Sequence, residues 1–213
     1  MSEKKLDLMK PFGPWVAKIN IPEDLVNKLN DYVDKIIADE EKSKKQDAGG
    51  RLVGNVTQEF QVDFDFAEKS GWSKLLQAAS AKLIEATLKK NITKFQITDT
   101  WIVRQFENEY NPIHFHSAHL SGAGFLKVPD FGSTKQEGKK NHNGQLKLVH
   151  GNKQFLSSCM MPIHPKVGDF YIFPHYLFHS VNPFIGPGER RSLSFNAKID
   201  EEIFNVHSHR AKK

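Results

Sequence analysis

Along the chain the spacing of apolar residues changes period once, near residue 95. Before that point it is helical. After Pro22, with Glu23 and Asp24 in a first turn that favours negative charge, Leu25, Val26, Leu29, Val33, Ile36 and Ile37 fall on one face of a helix. The polar run from Glu40 to Gly50 reads as a loop. A second amphipathic stretch carries Trp72, Leu75, Leu76, Ala79, Leu83 and Ala86 and ends at Lys89, Lys90 and Asn91. From about 95 onward the period becomes two. Short segments at 95–106, 113–116, 121–127, 145–150, 154–161, 168–173, 179–183 and 190–198 are separated by Gly, Pro and Asn. Strands at this spacing predict a sandwich or barrel, and helices first with strands after predict an α+β layout with the helices against one sheet. We expect a single domain over 1–213, with 1–94 as mainly helical support and 95–200 as the β core. The polar stretch 129–144 predicts a long loop of the kind that serves as a lid.

Composition narrows this picture. Sixteen phenylalanines in 213 residues suit a β-rich core. The net charge of +5 comes from lysines at the ends and in the loops, and no nucleic-acid motif interleaves them, so no specific nucleic-acid partner is expected. Cys159 is the one cysteine, which excludes an intrachain disulfide and a cysteine-based zinc site. The first fifteen residues hold no apolar leader segment and no run reaches membrane-span length, so the expected location is cytoplasmic, with no membrane partner. A homodimer is left open.

The chemistry lies in the histidines. Of ten, His114, His116 and His119 crowd into six residues, and His175 and His179 follow some sixty residues later. On an extended segment residues i and i+2 share a side, so His114 and His116 can reach one ion while Phe115 between them turns into the core. His179, after the alternating segment GDFYIFP, is the best third ligand. Eleven residues beyond it, Arg190, Ser192, Ser194 and Asn196 share one face of a strand, and Arg191, Leu193 and Phe195 share the other. A buried arginine wants a carboxylate, and Ser192 can assist. Two sources of that carboxylate stand open: a ligand, or one of the chain's own acids.

These stretches, taken in order, carry a resemblance. They are Asn111 to His116 (NPIHFH), Ser121 to Pro129, Gly168 to Pro174 (GDFYIFP), His179 to Phe184 (HSVNPF) and Gly188 to Asn196 (GERRSLSFN). The set resembles the 2-oxoglutarate/iron(II)-dependent oxygenase superfamily, in particular a small prolyl-hydroxylase-like branch found in bacteria and phages. The resemblance implies a double-stranded β-helix, a jelly-roll or cupin-like pair of four-stranded sheets with the metal between them. It implies Fe(II) on His114, His116 and His179. It also implies 2-oxoglutarate held through its far carboxylate by Arg190 and Ser192, with Tyr171 as a third donor. O2 would be the oxidant, succinate and CO2 would be released, and a substrate C–H would be hydroxylated. His116 departs from the superfamily, which carries an acid there. Either the site has three histidines, or the register shifts to bring in His119; Asp169 is the nearest spare carboxylate.

The substrate, a small molecule or a peptide, is not legible. Arg104, Gln105 and Tyr110 flank the metal strand and, with Asn196, are candidates to touch it. Trp101 reads as core. Lys135, Lys139 and Lys140 suit a substrate of acidic character. Two other readings are a three-histidine cupin-like metalloenzyme that does not use 2-oxoglutarate, and a barrel that has lost catalysis and serves as a binding module.

Overall fold

The computed structural model describes residues 6–9, 13–49, 54–132 and 140–206. In chain order its elements are β1 (Asp7–Met9), β2 (Val16–Asn20), α1 (Glu23–Ile37), α2 (Glu40–Gln46), β3 (Gln58–Gln61), α3 (Phe64–Ser70), α4 (Trp72–Leu88), β4 (Phe95–Gln105), β5 (Asn111–His114), β6 (Leu120–Lys127), β7 (Leu146–Val149), β8 (Met160–Ile163), β9 (Asp169–Pro174), β10 (Phe178–Val181), β11 (Arg190–Ile199) and α5 (Glu201–Phe204). The strands form two antiparallel sheets. The larger runs β1-β2-β9-β6-β11-β4-β3 and the smaller β5-β10-β7-β8. Four strands of each lie beyond residue 94 (β4, β6, β9 and β11 in the larger, all four in the smaller), which gives the expected double-stranded β-helix. No described helix is long and apolar enough to cross a membrane.

Period-two alternation sorts the larger sheet into two faces. Phe170 and Ile172 on β9, and Leu193 and Phe195 on β11, pack outward against Leu25, Leu29 and Val33 of α1 and Trp72, Leu76 and Leu83 of α4. Their neighbours Tyr171, Phe173 and Phe125 pack inward against Leu146, Leu148 and Ile163 of the smaller sheet. Two glycines on β6 make the outer layer possible. A Cβ on Gly124 would lie 2.3 Å from the Phe170 ring, and one on Gly122 would lie 2.6 Å from the Phe195 ring. Trp72 pins α4 to the sheet by donating its indole N–H to Thr100 Oγ1 at 3.0 Å.

Three expectations need correction. The first third is not only helical, because β1, β2 and β3 extend the larger sheet at both edges. These strands are three to five residues long, two before the first helix and one between helices, so no period can show in them. The run from Glu40 is not all loop. The Asp39 side chain accepts from Lys42 N and Lys44 pairs with Glu40, which make a surface helix without an apolar stripe. The segment 154–161 is not a strand until Met160; Gln154 and Ser157 close a turn that leaves Phe155 92% and Leu156 91% exposed.

The outer face also carries the chain's main buried ion network. Arg191 Nε donates to Glu189 Oε1 at 2.7 Å, and Arg104 Nε donates to the same oxygen at 2.9 Å. Arg191 Nη2 reaches Asp34 on α1 at 2.7 Å. Burial alone would raise the Glu189 pKa, but hydrogen bonds from Arg191 and Arg104 more than offset it, and the carboxyl sits below its usual range. A depressed carboxylate contributes stability above its unfolded pKa and loses it as pH falls through the folded value. Glu189→Ala is therefore expected to cost about 3 kcal/mol, because it removes the buried carboxylate that Arg191 and Arg104 share and leaves Arg191 only the exposed carboxylate of Asp34. Urea unfolding at neutral pH measures it, and the loss should shrink as the pH is lowered toward 3.

Candidate metal centre

Strand pairing assembles the histidines. β5 and β10 are neighbours in the smaller sheet, and His114 stands directly opposite His179. Directly opposed side chains lie about 5 Å apart at Cβ; here the two rings are 4.2 Å apart between centroids. His116, two residues past His114, turns to the same side, and its Nε2 lies 3.1 Å from His179 Nε2. One ring nitrogen from each of the three lies within 4.8 Å of the others, and the three form the one such His/Cys/Asp/Glu group among the described residues.

The rings are held from behind. His114 Nδ1 sits 2.8 Å from Pro112 O, and His179 Nδ1 sits 2.9 Å from Leu177 O. Each Nδ1–H thus has a carbonyl to donate to, which leaves Nε2 as a lone pair aimed inward, the tautomer a metal needs. His175 Nδ1 contacts His116 O at 2.9 Å and helps to place that segment. Burial is the main cause that lowers all three pKa values, to about 4 for His116 and about 3 for His179, and the neighbouring imidazoles lower those two further. Three neutral imidazoles with converging lone pairs are a donor set that fits a divalent transition metal.

Across the cavity, the inner face of the larger sheet supplies Arg190, Ser192 and Ser194 from β11 and Trp101 and Val103 from β4. Arg190 is 2% exposed. Its Nε donates to Gly144 O at 3.0 Å and its guanidinium lies over the Phe125 ring at 5.0 Å. No carboxylate among the described residues pairs with it, and burial pulls its pKa down to about 9. The own-acid alternative applies instead to its neighbour Arg191, on the opposite face. Larger hollows, about 790 Å³ beside residues 198–203 and about 710 Å³ beside residues 18–23, lie outside the sandwich and gather none of these groups.

Several expected residues lie elsewhere. His119 is apart from the cluster. It accepts from Ile199 N at 3.0 Å and stacks on Phe204 at 3.9 Å. Arg104 faces the helices, because alternation on β4 turns Trp101 and Val103 inward. Gln105 is buried but donates to Glu109 O and Asn182 O, which fastens a loop. Asn196 accepts from Ser121 Oγ at 2.7 Å and does not line the cavity. Tyr110 is exposed and bridges Asn55. Tyr171 is on the inner face of β9, opposite Lys18, and is not a lining residue. Asp169 pairs with Lys18 at 2.7 Å. Of the loop 129–144, residues 133–139, with Lys135 and Lys139, lie outside the described residues; Lys140 is exposed. Conversely, Trp101 does line the cavity, edge-on to His116 at 5.4 Å. So does Glu59 on β3, whose pKa burial raises to about 7 with help from Asp47.

Residues 99–196 match the model of a family described as "Putative 2OG-Fe(II) oxygenase". Among solved structures the chain is similar to a Pseudomonas putida prolyl-4-hydroxylase, at 16% identity and TM-score 0.57, over 92% of this chain and 94% of that one. It is also similar to a Trichoplax adhaerens prolyl hydroxylase in complex with a hypoxia inducible factor peptide fragment (14%, TM-score 0.58, 91% and 87%). A third is HygX from Streptomyces hygroscopicus with nickel and 2-oxoglutarate bound (8%, TM-score 0.54, 85% and 81%). At these identities the structural likeness establishes the fold. No curated protein matches the sequence.

Co(II) titration of the metal-free protein is expected to saturate at one ion per chain. His179→Ala should weaken the metal by more than about 100-fold, beyond the 10- to 100-fold typical of losing an outer hydrogen-bond partner. Protonation gives a second test. The folded imidazoles titrate below the ordinary value of about 6.5, so the unfolded chain takes up protons first as pH falls. Stability of the metal-free protein should therefore drop below about pH 6.5, while metal affinity stays nearly level from pH 8 to 6.

Proposed function

From the match of residues 99–196 to the 2OG-Fe(II) oxygenases, we propose that this chain is an Fe(II)- and 2-oxoglutarate-dependent dioxygenase that hydroxylates a C–H bond of a small molecule or peptide. The observation that carries the reading is Arg190, a fully buried cation with no carboxylate partner among the described residues, on the same cavity as the three histidines. A lone buried charge is costly and awaits compensation. A ligand carboxylate arriving there fits a planar, bidentate fork. That need separates the reading from a three-histidine metalloenzyme without 2-oxoglutarate, and from a barrel without catalysis.

In this account His114, His116 and His179 hold the iron through Nε2, with the carbonyls of Pro112 and Leu177 fixing two of the rings. Iron, 2-oxoglutarate and O2 together supply the oxidising power, with succinate and CO2 as the co-products. Arg190 binds the far carboxylate and so sets which end of the co-substrate faces the histidines, with Ser192 beside it as a further donor. Phe125, Leu146 and Val181 keep water from the charge pair. A three-histidine set lacks the negative charge of a carboxylate ligand, which shifts metal preference and redox potential. Phe115, expected in the core, is instead exposed at the cavity's edge with its ring 5.2 Å from that of Phe178, and offers the substrate an apolar contact. The single cysteine fits a reducing compartment such as the cytoplasm.

Arg190→Ala should leave metal affinity unchanged and weaken 2-oxoglutarate by about 30-fold or more, the factor for about 2 kcal/mol. Calorimetry on the Zn(II)-loaded protein reads both. Equal 2-oxoglutarate affinity in the variant would remove Arg190 from the role. His116→Asp should keep iron and succinate formation; loss of iron in that variant would show that His116 does not stand in the carboxylate position.

A further inference from the structure

The cavity has a second polar end, on the side of β3 and β5. Glu59 lies on β3, where alternation sends Phe60 to the helices and the Glu59 side chain inward. It is 1% exposed, and its Oε2 has no hydrogen-bond partner among the described residues. It is also the one acid in the cavity's described lining. Asn111, the first residue of β5, leaves Oδ1 buried and equally without a partner. The strip between them is glycine. A Cβ on Gly54 would lie 3.0 Å from Asn111 Oδ1 and 3.3 Å from Glu59 Oε1. The Asn55–Tyr110 bridge holds this strip beside β5. Asn111 and the Glu59 carboxyl group therefore both approach residue 54 on its unsubstituted side, and a side chain there would crowd them.

Each buried oxygen left without a hydrogen bond costs about 1–3 kcal/mol. Two at one cavity wall, next to the metal centre, point to a ligand. Both are acceptors, so the ligand must bring donors. Asp47 Oδ1 lies against the Glu59 amide at 3.2 Å and adds negative charge on that side. An anion would be repelled there, and the cavity's cation, Arg190, stands two strands away on the same sheet, with β4 between them. The two ends thus ask for opposite charges.

We propose that Glu59 and Asn111 form the subsite that receives a cationic N–H group, an ammonium or guanidinium, on the molecule to be oxidised. The word "oxidised" rests on the oxygenase reading; the subsite itself does not. This preference is opposite in sign to the acidic substrate that the loop lysines suggest.

N-acetyl-lysine methylamide and N-acetyl-arginine methylamide serve as cationic probes, and N-acetyl-norleucine methylamide as the neutral one. Binding is read by ligand-observed NMR, on metal-free protein and on protein loaded with Zn(II) and 2-oxoglutarate. A cationic probe should bind at least about tenfold tighter than norleucine. Glu59→Gln should remove that preference while leaving metal stoichiometry and 2-oxoglutarate affinity unchanged. Gly54→Ala should block the probe without removing any charge, which keeps the test decisive if Glu59→Gln does not fold. Equal binding of the neutral probe, or an unchanged preference in Glu59→Gln, overturns the proposal. So does a Glu59→Gln protein that unfolds easily while no probe discriminates, because Glu59 would then be matched by a cation of the chain itself. Failure of the oxygenase reading would show separately, as 2-oxoglutarate affinity indifferent to Arg190.

Discussion

Two adjacent arginines on one strand meet opposite fates, and the site depends on that division. β11 is extended and lies between β6 and β4, so Arg190 must point into the sandwich and Arg191 must point to the helices. Arg191 finds Glu189, Asp34 and Asn30, and its charge is matched within the protein. Arg190 finds a carbonyl and the face of a phenylalanine. The same packing that neutralises one guanidinium leaves the other desolvated and waiting, facing the histidine cluster. A shift of register by one residue would exchange them and erase both the ion network and the anion site.

Charge organises the rest of the cavity. The histidines are neutral as ligands must be, because burial and mutual proximity disfavour their protonated forms. A divalent ion placed there would make the centre of the cavity positive, with Arg190 on one side. Glu59 is then the one acid within the described lining to oppose them. The two sheets divide the labour, since metal donors come from β5, the residues just after it and β10, while the anion-binding face comes from β11.

Much of this was legible in the sequence where periodicity carried it. His114 and His116 were paired by their i, i+2 spacing, and the inward set on β11 followed from strict alternation. Tertiary placement was not legible. Arg104 reads as close to the metal strand, yet it faces away because its parity on β4 matches Ile102 and not Trp101. His119 lies three residues past His116, but the chain has turned into β6 and carries it to Phe204 and Ile199. Glu59 could not be found at all. It stands on a four-residue strand between helical segments, and nothing local tells that β3 joins the sheet edge beside β4. The motifs shared with known oxygenases lie in the second half of the chain, so the groups that distinguish this cavity in the first half carry no such signal.

The account turns on whether iron and a buried arginine share one small dicarboxylate. The most direct measurement is an anaerobic titration of the Fe(II)-loaded protein with 2-oxoglutarate, followed through the weak visible charge-transfer absorption of the chelate. The account predicts a saturable band at one equivalent, with saturation moved to much higher concentration in Arg190→Ala. Bound iron with no band at any concentration would contradict it and would leave a three-histidine metal protein of another kind.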